Sequence, residues 1–147
     1  MQISSRFTIA LHIFTCVDTF QEEYKVTSDF LASSINTNPV IIRKILTQLK
    51  QAGLITVARG TGGITPTRPL SDITFYDVYK AVDSIEDDTL FHFHENPNPQ
   101  CPVGRNVHGL LDGKLKAIQD AMENEMRKYT IEDLRDGMQE LLTVEGS

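Results

Sequence analysis

From Asn36 to Leu70 the chain carries no acidic residue, while Arg43, Lys44, Lys50, Arg59 and Arg68 place a charge of +5 in those 35 positions of a protein whose total is −6. Residues 1–35 amount to −2 and residues 71–147 to −9, so a basic segment is mounted on an acidic body. Acid on the remaining surface discourages nonspecific wrapping by a polyanion while leaving the basic face free to dock.

The segment divides by its end signals. Asn38 is an N-cap and Pro39 a first-turn proline whose missing N–H costs nothing there; Gly53 supplies a left-handed stop. A helix is therefore expected from Pro39 to Ala52. Ile41, Ile42, Ile45, Leu46, Leu49 and Ala52 recur at three and four residues as its buried stripe, and Arg43, Lys44, Thr47, Gln48, Lys50 and Gln51 face solvent. Upstream, Thr27 or Ser28 caps a short helix with Phe30, Leu31 and Ile35 inward, and only Asn36-Thr37 separates it from the next cap. Two helices joined so tightly cross steeply, in the helix-turn-helix geometry. In DNA-binding versions the second helix enters the major groove by its N-terminal end, which here offers Thr37, Asn38, Pro39, Val40, Arg43, Lys44 and Thr47. Ser28, at the first helix's start, is placed to hold a phosphate.

Leu54 to Ala58 then reads as a strand, Arg59-Gly60-Thr61-Gly62-Gly63 as a flexible tip and Ile64 to Thr67 as the returning strand. Three glycines in four residues let the backbone take positive φ and approach another surface closely. Arg59, with Thr61 beside it, is expected to reach a minor groove or a phosphate from this wing. Pro66 and Pro69 suit an edge that nothing else pairs with.

The rest of the chain supports this unit. A largely buried first helix is expected from Ser4 to Thr19, with Cys16 among its apolar neighbours as a small core residue. Arg6 near its start either touches a phosphate or lies solvated. Ser71 is read as the cap of a helix to about Ser84. Residues 86–104 form a long connection, and such a loop is functional or mobile. From about Arg105 to Tyr129, Val107, Leu111, Leu115, Ile118, Met122, Met126 and Tyr129 step by four, four, three, four, four, three, the spacing of a seam for another helix. At ~1.5 Å per residue that helix would be ~37 Å long, more than one small domain covers. It is read as a dimer helix, against a helix folded back on the core. Thr130 with Asp133 caps a last helix to about Leu142.

The fold expected is mainly α with a small β-hairpin wing (α+β), a winged helix-turn-helix with a long C-terminal dimerisation helix. Residues 1–85 would be the DNA-binding domain, 86–104 a sensor-like loop, and 105–147 the dimerisation and C-terminal helices. The early helix, the Asn-Pro-Val-Ile-Ile-Arg-Lys-Ile-Leu run, the Ala-Gly-Leu-Ile exit and the Arg-Gly-Thr-Gly-Gly wing resemble the Rrf2 family of bacterial winged helix-turn-helix regulators. His94 to Gly104 is similar to its YwnA-type branch. The resemblance covers nearly the whole chain and implies a homodimeric transcription factor, acting in the cytoplasm on a palindromic double-stranded operator, with repression favoured because a small dimer blocks a promoter without touching polymerase.

Members that hold an iron–sulfur cluster carry three cysteines in the region of Cys101; this chain has Cys101 there and only Cys16 besides. No such cluster is expected. Cys101 stands between prolines just before the long helix and is read as neutral, as a thiol switch, or as a metal ligand with His92, His94 and His108, whose spacing matches no tight metal motif. No enzyme is expected: Gly60-Thr61-Gly62-Gly63 lacks the lysine and helix of a phosphate loop, and no catalytic constellation occurs. No membrane partner is expected, for no apolar run approaches about 20 residues. The alternative is a winged-helix protein-interaction or metal-sensing module without direct DNA binding.

Overall fold

The computed structural model describes residues 4–21, 25–60, 63–83, 91 and 94–146. Helix α1 (Ser5–Phe20) starts where the Ser4 hydroxyl oxygen accepts the Arg6 N–H at 3.1 Å. Helix α2 (Ser28–Ile35) is capped by Thr27, whose hydroxyl accepts the Phe30 N–H, so Ser28 is its first helical residue and not its cap. Asn36 ends α2 in the left-handed region at φ 60°, a conformation asparagine tolerates better than most residues, and turns the chain within three residues into α3 (Pro39–Gln51). Two short strands follow, β1 (Ile55–Val57) and β2 (Ile64–Pro66), paired antiparallel with Thr56 opposite Thr65.

Ile13, Phe14 and Val17 of α1, Leu31 of α2 and Ile42, Ile45 and Leu49 of α3 meet in one core with Leu54, Ile64, Ile73, Val78 and Val82. Each large side chain buried there contributes about 1.5–3 kcal/mol, and this sets α3's orientation more firmly than its own propensity does. Between α1 and α2 lies a small polar link: Ser34 Oγ stands 3.2 Å from both Cys16 Sγ and His12 Nε2.

Several boundaries differ from expectation. Ser71 lies in a 3-10 turn (Leu70–Asp72), and α4 (Phe75–Val82) is capped by Thr74. The reason is reciprocity: Asp77 accepts the Thr74 N–H at 3.0 Å while Thr74 accepts the Asp77 N–H at 3.1 Å, a capping box that Ser71, with no carboxylate three residues on, cannot make. Helix α5 (Pro102–Met126) begins three residues earlier than Arg105, because Pro102 fits a first turn, and it ends at Met126 instead of Tyr129. Helix α6 (Ile131–Glu145) has the expected Thr130–Asp133 capping box but continues past Leu142.

The chain returns onto itself at Thr130. Phe75 donates its N–H to Tyr129 O and Ile131 donates to Ile73 O, both at 2.9 Å, so the starts of α4 and α6 are stitched together and Ile131 enters the core. Phe75 packs on Phe7 and Tyr129, and Arg127 lies 3.9 Å over the Tyr76 ring. Helix α5 is different in kind. None of its 25 residues is buried within the chain, and Leu110, Leu111 and Ile118 stand exposed along it.

Candidate nucleic-acid interface

Helix α3 carries its chemistry on the face opposite the core. The Asn38 side-chain oxygen accepts the Val40 N–H at 2.8 Å, and Pro39 follows at the first helical position. Arg43, Lys44, Thr47 and Lys50 are exposed, and no ion pair joins Arg43, Lys44, Lys50 or Arg59 among the described residues. Of the five cations of the basic segment, Arg68 is the exception, since its guanidinium lies 3.7 Å from the Asp77 carboxylate on α4. It remains exposed but has a carboxylate beside it.

Two members of the expected buried stripe lie outside it. Ile41 is 40% exposed and Ala52 is exposed as well, because α3 is buried along one narrow line, Ile42–Ile45–Leu46–Leu49. Gln48, expected in solvent, is instead half-buried and reaches α4, its amide donating to Val82 O at 3.4 Å.

Between the start of α2, the middle of α3 and the first wing strand runs a cleft of about 320 Å³ lined by Thr27, Ser28, Arg43, Leu46, Thr47, Lys50 and Val57. It brings Ser28, Arg43 and Thr47 together, as the helix-turn-helix geometry requires. Lys50 belongs to the same group. Its seven-residue step from Arg43, two turns along one helix face, is the signal that places it there.

The wing is closed by Ala58 donating to Gly63 O at 2.8 Å, with Gly60 at φ 76°. Arg59 is exposed beside that glycine. Thr61 and His92 lie outside the described residues. Thr37 is half-buried in the turn, its N–H donated to Ala32 O. Arg6 is exposed on α1 and is not part of the cleft; its charge acts on Asp83, whose carboxyl is pushed up by burial against the opposing pull of the Ser4 N–H and Arg6.

Of the seam residues on α5, Leu111 and Ile118 are exposed while Val107, Leu115, Met122 and Met126 are half-buried. Cys101 sits at the N-cap of α5, exposed, and the N–H groups of Gly104 and then Val103 hold its thiol below the ordinary range. His108 pairs with Asp112 at 3.2 Å on the helix surface, and His94 is exposed. No group of three metal-ligating side chains forms among the described residues. Nor is any described helix long and apolar enough to cross a membrane.

A helix-turn-helix with a glycine-hinged wing and unpaired cations on the second helix defines a winged-helix DNA-binding regulator. More narrowly, the chain belongs to the Rrf2 family, whose model, described as an iron-dependent transcriptional regulator, matches residues 3–137. YwnA of Bacillus subtilis, described as a candidate HTH-type transcriptional regulator, is 38% identical over 132 residues, covering 90% of this chain and 96% of that protein. A solved structure of a candidate DNA-binding protein superposes with TM-score 0.70 at 33% identity, over 88% of this chain and 98% of the other. A transcriptional regulator from Lactobacillus plantarum superposes with TM-score 0.76 at 25% identity, over 97% of each chain. The chain is a DNA-binding transcriptional regulator of this family.

Proposed function

We propose that this regulator binds a palindromic double-stranded operator as a homodimer and represses by occupying it. The observation that carries the reading is the cleft in which Ser28, Arg43, Thr47 and Lys50 converge beside the groove-entering end of α3. Backbone phosphates of each half-site are received there, by the cations Arg43 and Lys50 and by the start of α2. Arg59 reaches the adjacent minor groove from the wing, and Lys44 and Thr47 face base edges. The paired reading heads are held by α5, whose seam from Val107 to Met126 has no fully buried residue, leaves Leu111 and Ile118 exposed, and is of a length that suits a second copy. Two-fold symmetry then sets half-sites about 10–10.5 base pairs apart, or a multiple of it.

The protein acts in the cytoplasm, is not an enzyme, and works without the cluster found in some of its family. A three-thiolate site does not fit these residues: the chain has two cysteines, of which Cys16 is buried against Ser34 in α1 and Cys101 is exposed at the start of α5. Cys101 is the candidate thiol switch, placed where oxidation would bear on α5 and hence on the separation of the two reading heads.

Fluorescence anisotropy on duplex DNA from upstream of the protein's own gene, at several salt concentrations, tests this reading. If Arg43, Lys50 and Arg59 of each protomer neutralise a phosphate, six contacts lower the affinity roughly 10³-fold between 50 and 200 mM salt. Arg43→Ala then reduces the log–log slope by about 2, since the change occurs in both protomers. Binding with no preference over a scrambled duplex and no salt slope would overturn the proposal.

A further inference from the structure

Helix α3 ends in an apolar tip. Opposite the buried Ile42, Ile45 and Leu49, the outward positions Val40, Lys44, Thr47 and Gln51 recur at steps of four, three and four residues. Val40 is 49% exposed at the leading end of that ridge, and Ile41 is exposed beside it. A single exposed aliphatic side chain calls for no explanation. Two adjacent ones at the protruding end of a cationic helix are another matter, because that is where base edges would lie.

Two polar groups nearby are already engaged within the helix. Asn38 spends its side-chain oxygen on the Val40 N–H, and Thr47 donates its hydroxyl to Arg43 O at 2.9 Å. What projects from the first turn is therefore two branched hydrocarbon groups, flanked by Arg43 and Lys44. On the major-groove edge of a base pair the apolar feature is the thymine C5-methyl. Both side chains are β-branched and stiff, so little rotamer freedom is lost when they are packed against it. The flanking cations make a nucleic acid a better match for this tip than an apolar protein surface.

We propose that Val40, with Ile41 beside it, reads thymine methyl groups in each half-site of the operator. The inference rests on DNA binding through α3 and adds which chemistry does the reading. Val40 discriminates by methyl contact, so specificity at those base pairs persists without a direct hydrogen bond.

The test uses the purified full-length protein to enrich duplexes from a pool with a randomised centre. The enriched duplex is then remade with deoxyuridine replacing one thymine per half-site at a time. At one or two thymines per half-site, loss of the methyl should weaken binding about fourfold per site, the cost of leaving one such group unburied. Val40→Ala should bind the thymine and deoxyuridine forms of the Val40-contacted position equally, with Ile41→Ala reporting on the neighbouring position. Both side chains are exposed, so the variants should melt with the wild type. Tight binding that is indifferent to deoxyuridine at every thymine would overturn the inference while leaving DNA recognition standing. A deoxyuridine penalty undiminished in the Val40→Ala, Ile41→Ala double variant would overturn it too, by assigning the effect to DNA shape. Failure to enrich any duplex would remove DNA recognition and the inference together.

Discussion

Helix α5 contains three glycines that should respond to the same substitution in opposite ways. A Cβ added at Gly104 would lie 2.5 Å from Asn98 O, 3.2 Å from Asn98 N and 3.3 Å from its carbonyl carbon, all of them backbone atoms that cannot swing aside. Asn98 is itself held, its carbonyl accepting the Cys101 N–H at 3.2 Å and its side chain accepting the Gln100 N–H at 3.0 Å. Gly109 and Gly113 meet nothing within 4 Å. In an open helical position alanine is better than glycine by about 1 kcal/mol, so Gly109→Ala and Gly113→Ala should each stabilise by up to that amount. At Gly104 the same gain is opposed by about 1–3 kcal/mol of overpacking, so the variant should fall below wild type or at best match it. In thermal unfolding followed by circular dichroism, a difference of 1 kcal/mol is worth roughly 2–4 °C for a chain near this size. Gly104→Ala should also speed hydrogen exchange at the Cys101 and Arg105 amides, which close the turn. Should Gly104→Ala melt as high as Gly109→Ala, the close approach of Asn98 to α5 would be refuted.

Leu111→Glu with Ile118→Glu should yield a folded monomer by sedimentation velocity, since neither side chain is buried within the chain and enclosing unpaired carboxylates in a dimer seam costs several kcal/mol; an intact dimer would place the interface elsewhere. Iodoacetamide should modify Cys101 with a pH midpoint below that of the denatured chain, because the Gly104 and Val103 N–H groups favour the thiolate, while buried Cys16 stays unmodified until unfolding. The stability this lends is present above the denatured-state thiol pKa and is lost as pH falls through the folded one; Cys101→Ser should abolish any redox dependence of DNA binding, and an unchanged response would eliminate the switch. Burial raises the Asp83 carboxyl, and its Oδ2 has no hydrogen-bond partner among the described residues, so the folded chain keeps that proton to higher pH than the unfolded chain and loses stability as pH rises through this interval. Asp83→Asn should therefore match wild type near pH 3 and exceed it at pH 7 in melting temperature; the reverse order would show that Arg6 and the Ser4 N–H outweigh burial.

The winged helix-turn-helix was legible because its determinants are local. Asn38-Pro39 and Gly53 bracket α3 within one residue of its observed end, and the glycines after Arg59 mark the tip that β1 and β2 flank. The candidate interface was half legible. Arg43, Lys44 and Arg59 stand exposed as expected, but Arg68 is drawn to Asp77, a residue nine positions on whose nearness depends on how the wing returns against α4. Thr27 joins the cleft only through the crossing of α2 and α3.

Periodicity by itself determined the core-facing side of α3 and the apolar side of α5, since apolar positions repeat with the helical turn whatever lies opposite. It placed apolar positions along α5 at steps of four and three, in what is observed as a helix with no buried residue. Width of burial is another quantity, decided by what packs against the stripe. Ile41 and Ala52 fit the repeat yet remain exposed, and Gln48 breaks the repeat yet is half-buried with its amide donating to Val82 O. The choice of Thr74 over Ser71 as cap, the joining of Ile131 to the core through Ile73, and the gathering of Ser28, Arg43, Thr47 and Lys50 into one cleft all depend on contacts between residues distant in the chain. Those are selected by the free energy of packing the whole, which no local window contains.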